Sequence, residues 1–349
     1  MSKKKFEPKY KITNKILTDI KQIGEVIGIL KSTNINSNNL VKLQIEARAL
    51  STYASVSIEG NPLPLTDVKN LLKNAPNQIR DTQKEVLNYN RALQYINEKV
   101  KNGDFKLTHQ LIQKIQKMAV LDLLDKEDLG KYRQKPVIVR DPKSLTDIAF
   151  LPPNYEDVKN LMNELIEFID KNQQQIDPII LAGLFHKQHV IIHPFMDGNG
   201  RATRLITTAL LCNNGIDLFE IFSFENYYNK NVTKYFQNVG VFGDYYEIKN
   251  NIDFTNWLEY FVEGILDELK RVEKILQTTS KQEEFRLANH HKQILNFIEK
   301  YGSINQSEYG EVSNRSLAAR KLDFKKLIEL GLIKANSKGK AAYYTKKII

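Results

Sequence analysis

The sequence has a single cysteine, Cys212, among its 349 residues. One cysteine cannot form an internal disulfide framework or a cysteine-built zinc site. The sequence also lacks any run of about 18 apolar residues that could cross a membrane. Its basic start, MSKKKFEPKYKI, has no apolar segment behind it that would form a secretory signal. We therefore expect a cytoplasmic protein in which Cys212 is a buried, unreactive thiol.

The apolar content of 42% is enough to form packed cores, so the chain is expected to be globular rather than disordered. Its length favours two or three domains. The net charge of +10 is spread unevenly, because residues 281–349 contain 14 Lys and Arg against 7 Asp and Glu. Any interaction with nucleic acid is therefore expected in this C-terminal fifth of the chain.

Apolar residues recur at helical spacing through most of the chain, which predicts a mostly α fold. One segment, 130–150, departs from this pattern, because two short runs of strand-forming residues flank a turn at Asp141-Pro142 and predict a β-hairpin. Thr108 is expected to cap the helix that follows it. Helices are predicted over 40–58, 65–74, 81–100, 107–120, about 225–240 and 253–277. The expected divisions are an N-terminal helical region over 1–100, a core over 101–278 and a C-terminal domain over 286–349.

The C-terminal domain follows an order of its own, after a polar run TTSKQEEF that is either a linker or the end of a helix. Three helices are predicted, the third of them capped by Ser313 or Asn314, and an alternating segment around Lys338-Gly339 predicts a two-stranded wing. This is the order of a winged helix-turn-helix, whose third helix contacts DNA. Protein docking is the competing role for the same fold. Its basic side chains are Arg315, Arg320, Lys321, Lys325, Lys326, Lys338 and Lys340.

The densest group of chemically useful residues is HPFMDGNGRATR, residues 193–204. Its Gly-Asn-Gly turn lies between two apolar helical segments, which would place backbone N–H groups at a helix N-terminus, where anions bind. Arg201 and Arg204 lie near each other on one helix face and can bind phosphate oxygens. Asp197 supplies a carboxylate suited to Mg²⁺, and His193 can take a proton near neutral pH. The stretch therefore predicts phosphoryl or nucleotidyl transfer.

The same stretch matches the Fic signature HPFx[D/E]GNGRxxR without departure, so the chain resembles the Fic family of protein adenylyltransferases. GKYRQKPVIV resembles the family's lead into its flap, and AGLFHKQHVIIHPF resembles its central helix. The resemblance covers roughly residues 30–270. It implies a Fic-type helical bundle with a short β-hairpin flap. It also implies transfer of AMP from ATP to a Tyr, Ser or Thr hydroxyl of a target protein and of the enzyme itself.

The resemblance also implies roles for individual residues. His193 matches the general base that deprotonates the target hydroxyl, and Asp197 matches the Mg²⁺ ligand. The segment 135–150 matches the flap that positions the target backbone by strand addition. Tyr235 is expected against adenine, with core packing as its competing role; Tyr227 and Tyr228 are alternatives. The residues expected to hold the nucleotide phosphates are Gly198, Asn199, Gly200, Arg201, Ala202, Thr203 and Arg204.

Upstream, SVSIEG fits the family's inhibitory pattern [S/T]xxxE[G/N], within an inhibitory helix over about 40–60. Glu59 ends an otherwise apolar helix, where the helix dipole disfavours a carboxylate, so a nearby arginine would stabilise it. The resemblance implies that this arginine is Arg204, with Ser55 one turn back on the same face. Glu59 would then occupy the space of the γ-phosphate. A surface position before a turn is the competing interpretation.

Four histidines outside the motif base carry weaker signals. The spacing of His186 and His189 before the motif suggests zinc, but no cysteine or added carboxylate completes such a site, so both are expected to be structural. His290 and His291 begin a helix and are expected to be exposed.

Alternative functions remain open from the sequence. One is a DNA-binding regulator whose Fic core acts as a sensor. Others are a variant that transfers UMP or phosphocholine, and an enzyme that removes AMP with Glu59 aligning water. The expected ligands are ATP and Mg²⁺, and the expected partner is a target protein on the flap. DNA, through 286–349, and a second copy of the chain are open as further partners.

Overall fold

The computed structural model describes residues 5–33, 35, 37–76, 78–141, 144–216, 220–330, 332–336 and 342–347. At 37–38, 141, 144–147 and 280–286 it describes the backbone only. No helix within these residues is both long and apolar enough to cross a membrane.

The fold is mostly helical with two small sheets, as the sequence predicts. Its helices are α1 (Asn14–Ser32), α2 (Ser37–Ile58), α3 (Leu65–Lys73), α4 (Asp81–Lys101), α5 (His109–Ala119), α6 (Tyr155–Asn172), α7 (Pro178–Ile192), α8 (Asn199–Asn213), α9 (Phe224–Asn229), α10 (Val232–Val239), α11 (Tyr245–Ile248), α12 (Thr255–Arg286), α13 (Asn289–Tyr301), α14 (Gln306–Val312) and α15 (Leu317–Glu329). Its strands are β1 (Val139–Asp141), β2 (Ser144–Leu151), β3 (Gly243–Asp244), β4 (Ile304–Asn305), β5 (Ile333–Ala335) and β6 (Tyr343–Lys346).

The chain divides into two compact units. The first unit is Met1–Ile27 with Glu46–Lys270, and the second unit is Gly28–Ile45 with Arg271–Ile349. The first unit takes in most of the predicted N-terminal helical region together with the predicted core. The polar run TTSKQEEF continues α12 rather than forming a linker.

Helix α7 lies at the centre of the first unit. All of its residues except Pro178 and Val190 are buried, as expected of a helix that is apolar on every side. Its N-terminus is capped by Asp177, whose Oδ1 accepts a hydrogen bond from Ile179 N at 2.8 Å. Helix α8 packs along α7, and α4 and α5 pack against α8. The segment between α7 and α8 is therefore fixed at both ends by buried helices.

The predicted hairpin is present as the antiparallel pair β1 and β2. Val139 pairs with Phe150, and Arg140 pairs with Ile148. Pro142, which the sequence predicts in the turn, lies outside the described residues. Strand β2 also pairs in parallel with β3, so β1 forms the outer edge of a three-stranded sheet.

The second unit contains α13, α14 and α15 packed around a core that includes Ile294, Tyr309 and Phe324. Its sheet is antiparallel, in the order β4-β6-β5. The wing residues Lys338, Gly339 and Lys340 lie outside the described part of the chain.

The predicted N-cap of α15, Ser313 or Asn314, is wrong. Ser316 caps this helix by accepting a hydrogen bond from Ala319 N at 3.3 Å. Ser313 instead lies at the C-terminal end of α14, where its Oγ donates to Tyr309 O at 2.8 Å. The chain therefore stays extended for three more residues before α15 begins.

Candidate active site

The predicted motif forms the loop that joins α7 to α8. His193 ends α7 with a left-handed φ of 50°, and Gly198 precedes α8 with φ 79°. A Cβ at Gly198 would lie only 2.6 Å from Val120 Cγ1, so glycine is required there for space as well as for conformation. Asn199 closes the loop, because its Oδ1 accepts from Phe195 N at 2.9 Å and its Nδ2 donates to Phe195 O at 2.8 Å. The loop thus holds its shape through its own side chains.

Arg133, which the sequence interpretation does not single out, supports this loop from outside. Its side chain is 1% exposed. Its Nε donates to His193 O at 2.8 Å and its Nη2 donates to Pro153 O at 2.5 Å. Its backbone N–H donates to Pro194 O at 2.9 Å. Arg133 therefore joins the candidate base to the foot of the flap. An arginine within KYRQK gives no sign in the sequence that it is buried.

Gln116 is a second supporting residue that sequence reasoning misses. It is fully buried in α5. Its Nε2 donates to Asp197 O at 3.0 Å, and its Oε1 accepts from Gly130 N at 2.7 Å. One amide thus connects the motif loop to the segment that leads into the flap. On an amphipathic helix a single glutamine is normally a surface residue, so only the structure reveals this contact.

The environment of His193 keeps its imidazole neutral. Burial lowers the pKa of His193 to about 4, and the positive charge of Arg133 adds to the effect. The carboxylates of Glu59 and Asp197 oppose this shift without cancelling it. A backbone hydrogen bond with Val190 also opposes the shift. Near pH 7 the neutral ring therefore has one unprotonated nitrogen, as a proton acceptor needs.

The other two histidines of α7 are engaged in packing. Thr203 Oγ1 donates to Asn199 O at 2.7 Å, so the 2.7 Å contact with His189 Nδ1 must use the histidine N–H. Burial lowers the pKa of His189 to about 3. His186 is also fully buried, and its Nδ1 lies 2.9 Å from Thr207 Oγ1. These two rings connect α7 to α8 and do not converge on a metal site with His193.

The predicted pairing of Glu59 with Arg204 is present in the structure. Arg204 is fully buried, and its Nη2 donates to Glu59 Oε1 at 2.7 Å. Its Nε donates to Ser55 Oγ at 2.7 Å, and its Nη2 also donates to Ser55 O at 3.0 Å. Burial alone would lower the pKa of Arg204, but the Glu59 carboxylate raises it above its ordinary value. The last turn of α2 is thus bound to α8 through one guanidinium group.

Arg201 has a different set of contacts. Its side chain is 4% exposed, its Nη2 donates to Asp197 Oδ2 at 2.9 Å, and its Nη1 lies 3.5 Å from Glu85 Oε1. Glu85 also accepts from Asn61 Nδ2 at 2.6 Å, just after the end of α2. The N-terminus of α8, the end of α2 and the start of α4 are therefore joined by one polar network.

The anion seat is defined here as the N-terminus of α8 with Gly200, Arg201 and Arg204. Glu59 already places a carboxylate oxygen in it, since a Cβ added to Gly200 would collide with Glu59 Oε1. Arg201 Nε and Arg204 Nη1 are buried donors without a hydrogen-bond partner among the described residues. Buried donors normally have partners, so these two atoms indicate a further acceptor that belongs in the seat.

Two residues expected at the phosphates are not brought to the seat. Ala202 is fully buried, and its backbone N–H donates to Gly198 O at 2.9 Å. This N–H is therefore already hydrogen-bonded within the helix. The Thr203 side chain faces His189. In the sequence both lie between the two arginines, but the helix turns their side chains toward the core.

A cavity of about 370 Å³ opens beside the seat. It is lined by the seat, His193, the flap and α10, and most of its lining is apolar. Tyr235 is one of the lining residues, but it is 1% exposed and its hydroxyl lies 2.9 Å from His186 Nε2. Thr207 Oγ1 donates to Thr203 O at 2.7 Å, so His186 donates to Thr207 through Nδ1 and Tyr235 must donate to Nε2. Part of the Tyr235 ring therefore lines the cavity in a fixed position. Its hydroxyl is already hydrogen-bonded to His186.

Tyr227 and Tyr228 are separate from this cavity. Tyr227 OH donates to Glu263 Oε1 at 2.5 Å, and the fully buried Tyr228 donates to Phe261 O at 2.9 Å. Both are used in packing against α12. The site thus combines a neutral base, an anion seat and an apolar cavity, which together suit a nucleotide or a similar anion with an apolar part.

Comparisons with known proteins agree with this geometry. Residues 106–211 match the Fic/DOC family. The chain is 30% identical over 190 residues to a protein adenylyltransferase Fic of Aedes aegypti, a match that covers 53% of this chain and 36% of that protein. It is 32% identical over 174 residues to the protein adenylyltransferase Fic of Nematostella vectensis, a match that covers 49% and 39% of the two chains. The chain thus spans only a little over a third of the length of these curated relatives.

Solved structures show the same fold. A Fic family protein from Desulfovibrio desulfuricans G20 superposes with a TM-score of 0.65 over 98% of both chains, at 20% sequence identity. The motif loop, the hairpin and the central helix all lie within or beside the matched segment. Residues 106–211 therefore match a Fic/DOC domain, and the fold is similar to that of a solved Fic family protein.

Proposed function

We propose that the protein is an adenylyltransferase that transfers AMP from ATP to a Tyr, Ser or Thr hydroxyl of a target protein and of itself, and that Glu59 restrains it. The observation that carries the proposal is the anion seat, in which two buried arginine donors have no hydrogen-bond partner in the described part of the chain, beside a neutral histidine. The relatives named protein adenylyltransferase Fic support the same reaction.

In the proposed reaction the target hydroxyl oxygen attacks the α-phosphorus of ATP. Its proton passes to the imidazole of His193, the bond from the α-phosphorus to the bridging oxygen breaks, and pyrophosphate leaves. The seat would hold the negatively charged phosphates through the N–H groups of α8 and the free donors of Arg201 and Arg204. Arg133 and Asn199 would fix the position of His193 relative to the anion seat, because both bind the backbone of the same loop.

Magnesium would be held by Asp197 in this scheme. The residue fits the ion, because its side chain is 51% exposed at the edge of the seat and offers the hard oxygen ligand that Mg²⁺ prefers. When bound, the ion would neutralise phosphate charge. Arg201 now neutralises the same carboxylate at 2.9 Å.

The target protein would dock on the flap. Strand β1 is the edge of its sheet and offers backbone groups to an added strand. Such docking recognises backbone and needs few specific side chains. Val139, Arg140 and Phe150 of the hairpin line the cavity that contains His193, so a segment added there would lie close to the base.

The proposed restraint acts on the seat and not on the base. Glu59 occupies the space above Gly200 and one face of Arg204, where a phosphate would otherwise bind. A carboxylate and a phosphate cannot share that space, since they are both anionic and would overlap. Removing the Glu59 side chain should therefore free the seat without disturbing His193.

The test is to incubate the wild type, Glu59→Gly and Glu59→Gly/His193→Ala with labelled ATP, CTP, GTP or UTP, and to map the products by mass spectrometry. We expect strong AMP incorporation from ATP in Glu59→Gly, little in the wild type and none in the double variant. Equal incorporation by the wild type and Glu59→Gly would exclude the restraint. Incorporation that persists without His193 would exclude the proposed base.

For residues 286–349 we propose a winged helix whose role is protein docking rather than DNA binding. Lys321, Lys325 and Lys326 are exposed, but Arg320 Nη1 donates to Gln306 O at 2.8 Å and is therefore used within the unit. Leu322, on the same helix, is 65% exposed, and such a side chain suits a protein partner better than a phosphate backbone. A salt-dependent shift of duplex DNA by the full chain would reverse this assignment.

A further inference from the structure

Two histidines that the sequence predicts to be exposed instead meet a buried carboxylate in the second unit. His290 and His291 form the first turn of α13, and His291 is only 9% exposed. Asp323, in the middle of α15, is 3% exposed. Its Oδ1 lies 3.3 Å from His290 Nε2 and 3.4 Å from His291 Nε2. The expectation of exposure is therefore wrong for His291, because α15 covers it.

The spacing of these three atoms is informative. A hydrogen bond from an imidazole N–H to a carboxylate is typically about 2.7–2.9 Å long, which is shorter than both contacts. Donor atoms around a tetrahedral Zn²⁺, with metal–ligand bonds of about 2.0–2.1 Å, lie about 3.3–3.4 Å apart. The two histidine nitrogens match that separation from Asp323 Oδ1, and the three donor atoms all lie within 4.8 Å of one another.

The position of the His291 ring also suits a metal. His291 Nδ1 is buried with no hydrogen-bond partner among the described residues, so no bond on that side accounts for the ring's position.

Asp323 is oriented toward the rings by two further residues. Tyr309 OH donates to its Oδ2 at 2.9 Å, and Arg315 Nε lies 2.5 Å from the same oxygen. Such contacts behind a ligating carboxylate fix its direction in metal sites. The Nη2 of Arg315 also donates to Oδ1 at 2.9 Å, and this is the bond that an incoming ion would displace.

We propose that His290, His291 and Asp323 form a binding site for a divalent transition metal, for which Zn²⁺ is the fitting probe. The donor set of two imidazoles and one carboxylate suits Zn²⁺ rather than Mg²⁺ or Ca²⁺, which prefer oxygen ligands. Three protein ligands leave one position for water, so the ion would be exchangeable. It would join the start of α13 to the middle of α15 and release Arg315 from one of its contacts.

The experiment is a calorimetric titration of the full chain with Zn²⁺ after removal of metals by chelation, repeated with Co²⁺ to record its visible absorption. We expect the wild type to bind one equivalent that His290→Ala and His291→Ala each lose. Lys292→Ala, an exposed neighbour on the same helix, should keep it. Tyr309→Phe, which removes a contact behind the carboxylate, should weaken binding about 10–100-fold.

Comparing the wild type with His290→Ala and His291→Ala also separates this site from the candidate active site, which could bind Zn²⁺ independently. Equal numbers of bound Zn²⁺ in the wild type, His290→Ala and His291→Ala would overturn the proposal, as would a wild type that binds no Zn²⁺ at 100-fold excess over the protein. His290 is 26% exposed at its side chain, so His290→Ala should fold normally. Circular dichroism of each variant verifies that lost binding is not lost structure.

Discussion

Replacing Glu59 with glutamine should lower the stability of the nucleotide-free protein and at the same time strengthen its response to ATP. The substitution keeps the size of the side chain and removes its charge. Arg204 would then be a fully buried cation without a charged partner, held by Ser55 and by the neutral amide oxygen of glutamine. Phosphate from ATP would be a better partner for it than the glutamine amide.

The magnitude follows from the burial of the pair. Breaking a fully buried ion pair costs about 3–5 kcal/mol. Glu59 is 28% exposed, so we expect a smaller loss of about 2 kcal/mol in the free energy of unfolding. For a unit of this size that corresponds to a fall of about 4–8 °C in Tm. Saturating ATP at about 100 times its Kd should return about 2.7 kcal/mol to the variant.

Thermal unfolding of both proteins, with and without ATP and Mg²⁺, measures the two effects. Glu46→Gln is the matched control, since Glu46 lies on α2, which ends just before Glu59, and pairs with Lys69 at the surface. Its loss should cost less than about 1 kcal/mol and leave the ATP response unchanged. If Glu59→Gln has the Tm of the wild type and the same shift with ATP, Glu59 does not compete with nucleotide for Arg204.

Three further predictions concern the base and the docking of α2. In the Glu59→Gly background, AMP transfer should fall only at a pH of about 4 or below, because burial lowers the pKa of His193 to about 4 and loss of the Glu59 carboxylate lowers it further. Protonation then removes the lone pair, and a rate profile with its midpoint near 6.5 would refute this. Arg133→Lys should lower kcat about 10-fold or more with little change in the Kd for ATP, measured by initial rates and calorimetry, because Arg133 positions His193 without contacting the anion seat. Ser51→Ala removes the Oγ that donates to buried Glu225 at 2.5 Å, so it should raise basal transfer less than Glu59→Gly does; unchanged basal labelling would show that this contact does not help hold α2.

The sequence predicts the helical content, the hairpin and the motif loop because each depends on local signals. The periodicity of apolar residues defines α5, and Gly198 follows from the conformation that the turn requires. The pairing of Glu59 with Arg204 could be predicted only through the resemblance to the Fic family. Nothing local connects two residues that are 145 positions apart.

Buried polar contacts account for most of what the sequence does not predict. Arg133 and Gln116 have the residue types of a solvated surface, and only tertiary packing places them under the motif loop. The expectation that His291 is exposed is wrong for the same reason, since the burial of its side chain depends on α15. Thr203 lies inside the motif, but the helix turns its side chain toward His189, an orientation that the motif alone does not reveal.

The proposed inhibitor and its target arginine belong to one chain, since Glu59 directly follows α2 and Arg204 lies on α8. A tethered group acts at a local concentration set by its attachment, and dilution of the protein does not change that concentration. The strength of the restraint would therefore not depend on the concentration of the protein, and it would be the same at any expression level. Only a change in the position of α2, or enough nucleotide to compete with a fixed local carboxylate, would release it.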